Sequence, residues 1–316
     1  MRTACSIAAV VLSFFNVCAA EDVSLARQLA ALKVPPAWLK GVKVNWNVQA
    51  KPWKEGRIEI RRLLGLNQES ARKQAIRLTW DYLQKNDIGD GHEYGMYMYL
   101  GGEPVWAVKV YQQWLPKQKK YFPVFGYRAL SALYAEFGEF AQAKKTLDVA
   151  MREIPKHAMP TMRKAELNDS YGDMYVAWGK DDLAKRHYAM AAKLYPQSKP
   201  KYGRHLLPRR AKKVQAKLDA LSLGSFSKAR LKDGQYRETA LGYSGDIRLT
   251  VHVQRGRVAK IDVKHQEKID QNVCVLIPKR IVDEQSLKVD GISGATVTKD
   301  AIVSGTFRAL KKSGLK

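Results

Sequence analysis

The chain has 316 residues, enough for about two domains. Apolar residues make up 46% and charged residues 27%, which excludes collagen-like, disordered and coiled-coil-only chains. With 55 Lys+Arg against 30 Asp+Glu the net charge is +25, an excess that bears on partners and solubility and not on fold.

The N-terminus reads as a targeting segment. Arg2 precedes an apolar run over residues 4–15, and Val17-Cys18-Ala19-Ala20 supplies small residues before Glu21-Asp22. This predicts a secretory signal peptide over residues 1–20, cleaved near Ala20, and a periplasmic location. An uncleaved membrane anchor is the alternative, although the run is short for a span. The bulky Val17 ahead of Cys18 argues against a lipoprotein. Cleavage removes Cys5 and Cys18 and leaves Cys274 alone, which excludes an internal disulfide. There is no Cys-x-x-Cys-His for haem, and the six histidines show no zinc-like spacing. No metal site and no catalytic residue is expected.

In residues 21–70, Val34-Pro35-Pro36, Trp38, Trp46 and Trp53 predict extended chain lying over the first helices, with the tryptophans packed inward. The stretch from Asp87 to Glu93 lacks the alternating oxygen ligands of a calcium loop and is read as a plain loop. Residues 127–155 then place small and apolar residues at Tyr127, Leu130, Ser131, Tyr134, Gly138, Phe140, Ala143, Leu147, Ala150 and Pro155. These offsets resemble the tetratricopeptide repeat. Ser131 and Ala143 let two antiparallel helices approach, Gly138 makes the turn, and Pro155 ends the second helix. The pattern recurs at Gly172, Tyr175, Gly179, Ala184, Tyr188, Ala191 and Pro196, and more weakly at Gly95, Gly102, Ala107, Tyr111 and Pro116. A generic bundle of helical hairpins is the alternative. Either surface binds proteins or docks domains. A basic helix over residues 206–221 closes the array, with Arg209, Arg210, Lys212, Lys213 and Lys217 as a solvated face or a docking surface for an acidic partner. Residues 223–228 read as a linker.

From Asp233 the pattern changes to alternation. Residues 234–241 form a first strand and 242–245 a turn. Ile247, Leu249, Val251 and Val253 alternate with polar residues in a second strand. Arg255-Gly256-Arg257 turns into a third, where the alternation slips at Ala259-Lys260 and predicts a bulge. Residues 278–287 read as a helix with Pro278 in its first turn. Asp290-Gly-Ile-Ser293-Gly294-Ala295-Thr296 follows, then a last helix to Lys312.

The segment from Asp233 to Leu315, with Asp233-Gly-Gln-Tyr236, the Gly242-Tyr243 turn and the Asp-x-x-Ser-Gly-Ala-Thr motif, resembles the FMN-binding domain family. That domain occurs in the flavin subunits of sodium-pumping NADH:quinone reductase and of the related ferredoxin-linked complex. At average residue frequencies the motif arises by chance in about one chain of this length in a thousand. The resemblance implies FMN held covalently, through its phosphate, on the hydroxyl of Thr296 by a flavin transferase. Asp290 belongs to what the transferase recognises, and Ser293, Gly294, Ala295, Gly242 and Tyr243 contact or approach the cofactor. Small residues at Gly294 and Ala295 let backbone come close to a nucleotide, and the start of the last helix suits a phosphate. The chain departs from the family after His265, where Gln266-Glu267-Lys268-Ile269-Asp270 replaces a glycine-containing run. Cys274 is read as a packed small residue, with a redox thiol as the alternative.

The expected architecture is an α-helical, tetratricopeptide-like domain over residues 21–222, followed by a small α+β FMN-binding domain over 223–316 with an antiparallel sheet. The expected function is an exported electron carrier. Its helical domain docks a redox partner protein, membrane-bound or a cytochrome, and nucleic acid is excluded as a partner. The alternative is a periplasmic scaffold or assembly protein whose flavin domain is structural or sensory.

Overall fold

The computed structural model describes residues 24–66, 68–88, 91–118, 122–156, 158–201, 203–223, 231–268, 272–289 and 296–315. The expected signal peptide and residues 224–228 of the expected linker lie outside them, while Leu223 ends a helix. The helical region comprises α1 (Leu25–Ala31), α2 (Trp53–Gly65), α3 (Glu69–Gln84), α4 (Gly91–Leu100), α5 (Pro104–Trp114), α6 (Val124–Glu136), α7 (Phe140–Glu153), α8 (Pro160–Ala177), α9 (Asp181–Gln197) and α10 (Leu207–Leu223). Three strands follow, β1 (Gly234–Leu241), β2 (Asp246–Gln254) and β3 (Arg257–Lys264), then α11 (Val273–Glu284) and α12 (Thr296–Lys312). No helix among the described residues is long and apolar enough to cross a membrane.

The helical region is a row of hairpins, and two devices recur in it. Gly102, Gly138 and Gly179 take φ of 95°, 73° and 71° at the ends of α4, α6 and α8. Just beyond each glycine, the N–H of Glu103, Glu139 and Lys180 donates back to the C=O of Met98, Tyr134 and Tyr175. This left-handed glycine closure satisfies carbonyls that the helix end leaves open. Small residues also let the paired helices approach closely. Gly172 lies against the Tyr188 ring and Gly95 against Tyr111, where a Cβ would overlap the ring. The Ser131 hydroxyl donates to the Ala143 C=O at 3.0 Å. Because Ala143 is fully buried, Ala143→Leu is expected to cost about 1–3 kcal/mol by overpacking. Urea denaturation checks this, and an unchanged midpoint would mean that the α6–α7 contact is loose.

Residues 21–70 are more helical than the extended chain that was expected. In α2, Gly56, Ile60, Leu63 and Leu64 are buried at helical spacing. Interspersed Lys54, Arg57, Arg61 and Arg62 hide this pattern in the sequence. The tryptophans do pack inward: Trp53 is buried, and the Trp46 Nε1–H donates to the Tyr82 hydroxyl at 2.9 Å.

The C-terminal unit is an antiparallel β1-β2-β3 meander. Ile247, Leu249, Val251 and Val253 point from β2 into a core shared with Ile277 and Ile281 of α11 and Ile302, Phe307 and Leu310 of α12. His252 opposes Lys260 while Val253 opposes Val258, so Ala259 is the bulged residue, as the slipped alternation predicts. The helix expected over 278–287 instead runs over Val273–Glu284, with Pro278 inside it. Val273, Cys274 and Ile277 are buried in its first turns, and core packing carries the helix across the proline. Gln285, at φ 48°, ends α11 and clamps the start of β3, bonding to both the N–H and the C=O of Val258.

Candidate functional site

α12 lies along β1 in the opposite direction. Lys312 Nζ donates to the Arg237 C=O at 3.0 Å, an Arg308 guanidinium nitrogen donates to the Thr239 C=O at 2.9 Å, and Gly305 sits against Ala240 and Leu249. At 1.5 Å per residue, the nine residues back to Thr296 carry the first turn of α12 beyond β1, toward the end of the sheet that bears the 242–245 turn. Of the expected site residues, Gly242, Tyr243 and Thr296 thus share one end of the unit. Asp290, Ser293, Gly294 and Ala295 lie outside the described residues.

The turn is built around a residue that the sequence did not single out. The Gly242 N–H donates to the Gly245 C=O at 2.8 Å. The Glu267 carboxylate accepts the N–H groups of Tyr243 at 2.7 Å and Ser244 at 3.0 Å. A Cβ on Gly242 would collide with Glu267 Oε1, so the glycine makes room for that carboxylate. Glu267 falls in the run where the chain departs from the family pattern. Its only sequence signal is that it is the sole acid between His265 and Lys268.

Thr296 is the first residue of α12. The opening N–H groups of a helix lack acceptors within it, and the positive end of its dipole favours an anion. α10 flanks this turn. Lys213 Nζ donates to the Val297 C=O at 3.1 Å. One turn on, Lys217 Nζ meets the carboxylates of Asp169 at 2.9 Å and Asp173 at 2.6 Å on α8, and of Asp300 at 2.9 Å on α12. Only 9% of the Lys217 side chain is exposed. Burial opposes its ammonium, but the three carboxylates outweigh burial and hold its pKa well above the usual lysine range. The Tyr188 hydroxyl donates to Asp173 at 2.6 Å. Partial burial, with Asp169 and Asp300 close by, pushes the Asp173 carboxyl up to about 6 despite Lys217. Burial also works against ionised Asp300, yet Lys217, Lys213 and Lys299 draw it below its usual value.

The Asp173 shift has a stability consequence. A carboxyl whose folded pKa lies above its ordinary value of 3.8 binds its proton more tightly when folded. On this account the fold gains stability as pH falls from about 6 toward 4, and that contribution is absent at pH 8. Asp173→Asn is expected to flatten this dependence and to raise the melting temperature at pH 8 more than at pH 5. Thermal melts across pH 5–8 check it, and a variant less stable at pH 8 would mean that the ionised carboxylate is a net stabiliser.

The basic helix lies along an internal seam that engages four of its five cations, while Lys212 stays exposed. Arg209 pairs with Asp246, Arg210 with buried Glu166 at 2.9 Å, and Lys213 and Lys217 are engaged as above. On the other flank the Tyr243 hydroxyl reaches Met96 Sδ of α4 at 4.0 Å. The helical region therefore borders the site end on two sides. Apolar side chains remain exposed at or near this end: Tyr243 at 67%, Val275 at 65% and Val297 at 40%. Open helix N–H groups beside a lysine suit a phosphate, and exposed apolar and aromatic surface suits a flat ring, so the residues present fit a flavin mononucleotide. Cys274 is buried in the core. No His/Cys/Asp/Glu group suited to a metal occurs among the described residues.

Comparison with known proteins agrees with this chemistry. Residues 242–311 match the FMN-binding domain family. A stretch of 88 residues, 27% of this chain, is 32% identical to NADH:acrylate oxidoreductase of Vibrio harveyi and spans 9% of that protein. A stretch of 89 residues is 32% identical to an uncharacterized protein of Treponema pallidum (strain Nichols) and spans 25% of it. The chain thus covers a quarter or less of these curated relatives. No solved structure matches.

Proposed function

With an FMN-binding domain at residues 242–311 as the premise, we propose that the chain is an exported electron-transfer flavoprotein. Its FMN is joined through the phosphate to Thr296, and its tetratricopeptide-like helical region docks a redox partner. The observation that carries this reading is the domain match together with the position of Thr296 at the first turn of α12, on the end bordered by α4 and α10. The 32% identity to a stretch of an NADH-oxidising enzyme supports electron transfer as the role of such a unit.

When bound, FMN supplies one- and two-electron transfer, and the protein supplies position and electrostatics. The N–H groups of the first turn of α12 hold phosphate charge, and Lys213 adds a cation next to them. Tyr243 and Val297 offer the ring a surface that water would otherwise wet. Glu267 holds the 242–245 turn in place by occupying its two N–H groups.

The test is the mass of the native protein, exported by a host that has a flavin transferase. A mass increase of FMN less one water on the peptide containing Thr296 supports the reading. Yellow protein with an unmodified peptide overturns the covalent link. Colourless protein that still binds a partner favours the scaffold alternative.

A further inference from the structure

The sheet of the C-terminal unit has one covered face and one open face. α11 and α12 cover the side from which Ile247, Leu249, Val251 and Val253 project. The other side carries Gln235, Arg237 and Thr239 of β1, Arg248, Thr250 and His252 of β2, and Lys260, Asp262 and Lys264 of β3. Arg237, Arg248, Lys260 and Lys264 are exposed. The acids of this face are already engaged: Asp262 is taken by Lys260 at 2.7 Å and His252 at 2.7 Å, and Asp246, at the start of β2, pairs with Arg209 of α10. Arg237, Arg248 and Lys264 make no ion pair among the described residues.

The register makes this arrangement costly. Arg248 stands directly opposite Lys264. Arg237 stands opposite Thr250, which places it diagonal to Arg248. Like charges directly across an antiparallel pair destabilise it, and an acid in place of Arg248 or Lys264 would remove the cost. The three cations line an open groove of about 680 Å³ whose two acids are already paired, Glu238 with Lys312 and Arg308, and Asp262 with Lys260 and His252. A second groove of about 310 Å³ continues it past Arg248 and Lys264 to Asp246 and His265. That continuation leads to the end of the sheet where the 242–245 turn and the first turn of α12 lie.

We propose that this open face docks the acidic surface of a second redox partner protein, distinct from the one on the helical region, with Arg237, Arg248 and Lys264 receiving its carboxylates. The inference rests on the flavin reading for its redox role, and on the register for its charge. A partner seated there neutralises a repulsion that the free protein keeps, and it stands beside the flavin-bearing end. Clustered charge of one sign steers a partner of opposite charge and raises its association rate. The face carries no aromatic side chain, and its one large apolar residue, Leu241, is half-buried at the end of β1, so it lacks the exposed anchors of a membrane-binding surface and the stacking platforms of a nucleic-acid site.

The experiment uses full-length protein, flavin-loaded and reduced with dithionite, mixed in a stopped-flow instrument with an acidic or a basic soluble ferric cytochrome. Each reduced flavin passes its two electrons singly to two haem irons and releases its protons to buffer. The triple variant Arg237→Gln, Arg248→Gln and Lys264→Gln is compared with an equally charged control, Lys54→Gln, Lys145→Gln and Lys193→Gln. At low salt the first variant is expected to lose about tenfold in second-order rate with the acidic cytochrome, and its dependence on ionic strength is expected to flatten. The control is expected to stay within about twofold of the parent protein. The triple variant is also expected to melt no lower than the parent, since it removes a like-charge pair. Equal losses in both variants, or no loss in either, would overturn the proposal. So would binding to phosphatidylglycerol vesicles that the triple variant abolishes while cytochrome rates stay unchanged.

Binding of the acidic cytochrome to flavin-free protein, followed by interferometry, separates the two readings. Affinity lost only in the triple variant keeps the docking face even if the flavin reading fails, and a parent protein without affinity removes the docking face alone.

Discussion

Thr296→Val is expected to give a colourless protein that is otherwise intact. Valine keeps the branched shape of threonine and removes the hydroxyl, which is the only part of the residue a phosphoester can use. At the first position of α12 the change costs a few tenths of a kcal/mol in helix propensity, so the melting temperature should barely move. The effect on the cofactor should be complete. After acid precipitation the parent protein should retain its flavin absorbance in the pellet, and the variant should retain none. Thr296→Ser restores a hydroxyl at the same atom and is expected to recover the flavin at least in part. A Thr296→Val protein that stays yellow after denaturation would place the link elsewhere. One that binds FMN reversibly at full affinity would mean that the contacts of the turn and the α12 N–H groups suffice without a bond.

Lys217→Met is expected to have the largest effect on stability. The substitution removes the one cation that, among the described residues, bridges Asp169, Asp173 and Asp300, and leaves three carboxylates close together at the seam. Breaking a buried ion pair from one side costs about 3–5 kcal/mol, because the remaining charge loses both water and partner. Part of that cost is relieved when a carboxylate takes up a proton, so the loss should be greater at pH 8 than at pH 5. Asp300 belongs to α12 and the other two carboxylates to α8. The variant should therefore loosen the C-terminal unit from the helical region as well as lower its stability. Urea denaturation followed by tryptophan fluorescence and by far-ultraviolet circular dichroism tests both effects. All seven tryptophans precede the sheet, so fluorescence reports the helical region alone. Two transitions that separate in the variant and coincide in the parent are the expected result. Lys217→Arg, which keeps the charge, should keep the transitions together.

What was legible beforehand is what local rules encode. Gly138 and Gly179 announced left-handed turns, and the small residues Ser131 and Gly172 announced close helix contacts, because both constraints act within a few residues of the chain. The β2 alternation and the slip at Ala259 were equally local. The start of α11 was misplaced because proline in a first turn is the commoner arrangement, whereas here buried Val273, Cys274 and Ile277 decide. Glu267 was passed over because its role depends on two N–H groups more than twenty residues earlier. The Lys217 cluster was read as part of a basic stripe for the same reason: its three acids come from two distant helices, and no periodicity in α10 points to them.

α10 has side chains in both cores. Leu207 and Val214 pack with the last hairpins, while Ala216 packs with the sheet and α12. Together with the Tyr243–Met96 contact, this means that packed surfaces of α10 and α4 help to place the flavin end. A backbone cut between α10 and β1 should then leave the two parts held together by the packing of α10. The two fragments should co-elute as one particle and come apart only in denaturant, or when the lysine that bridges them is gone.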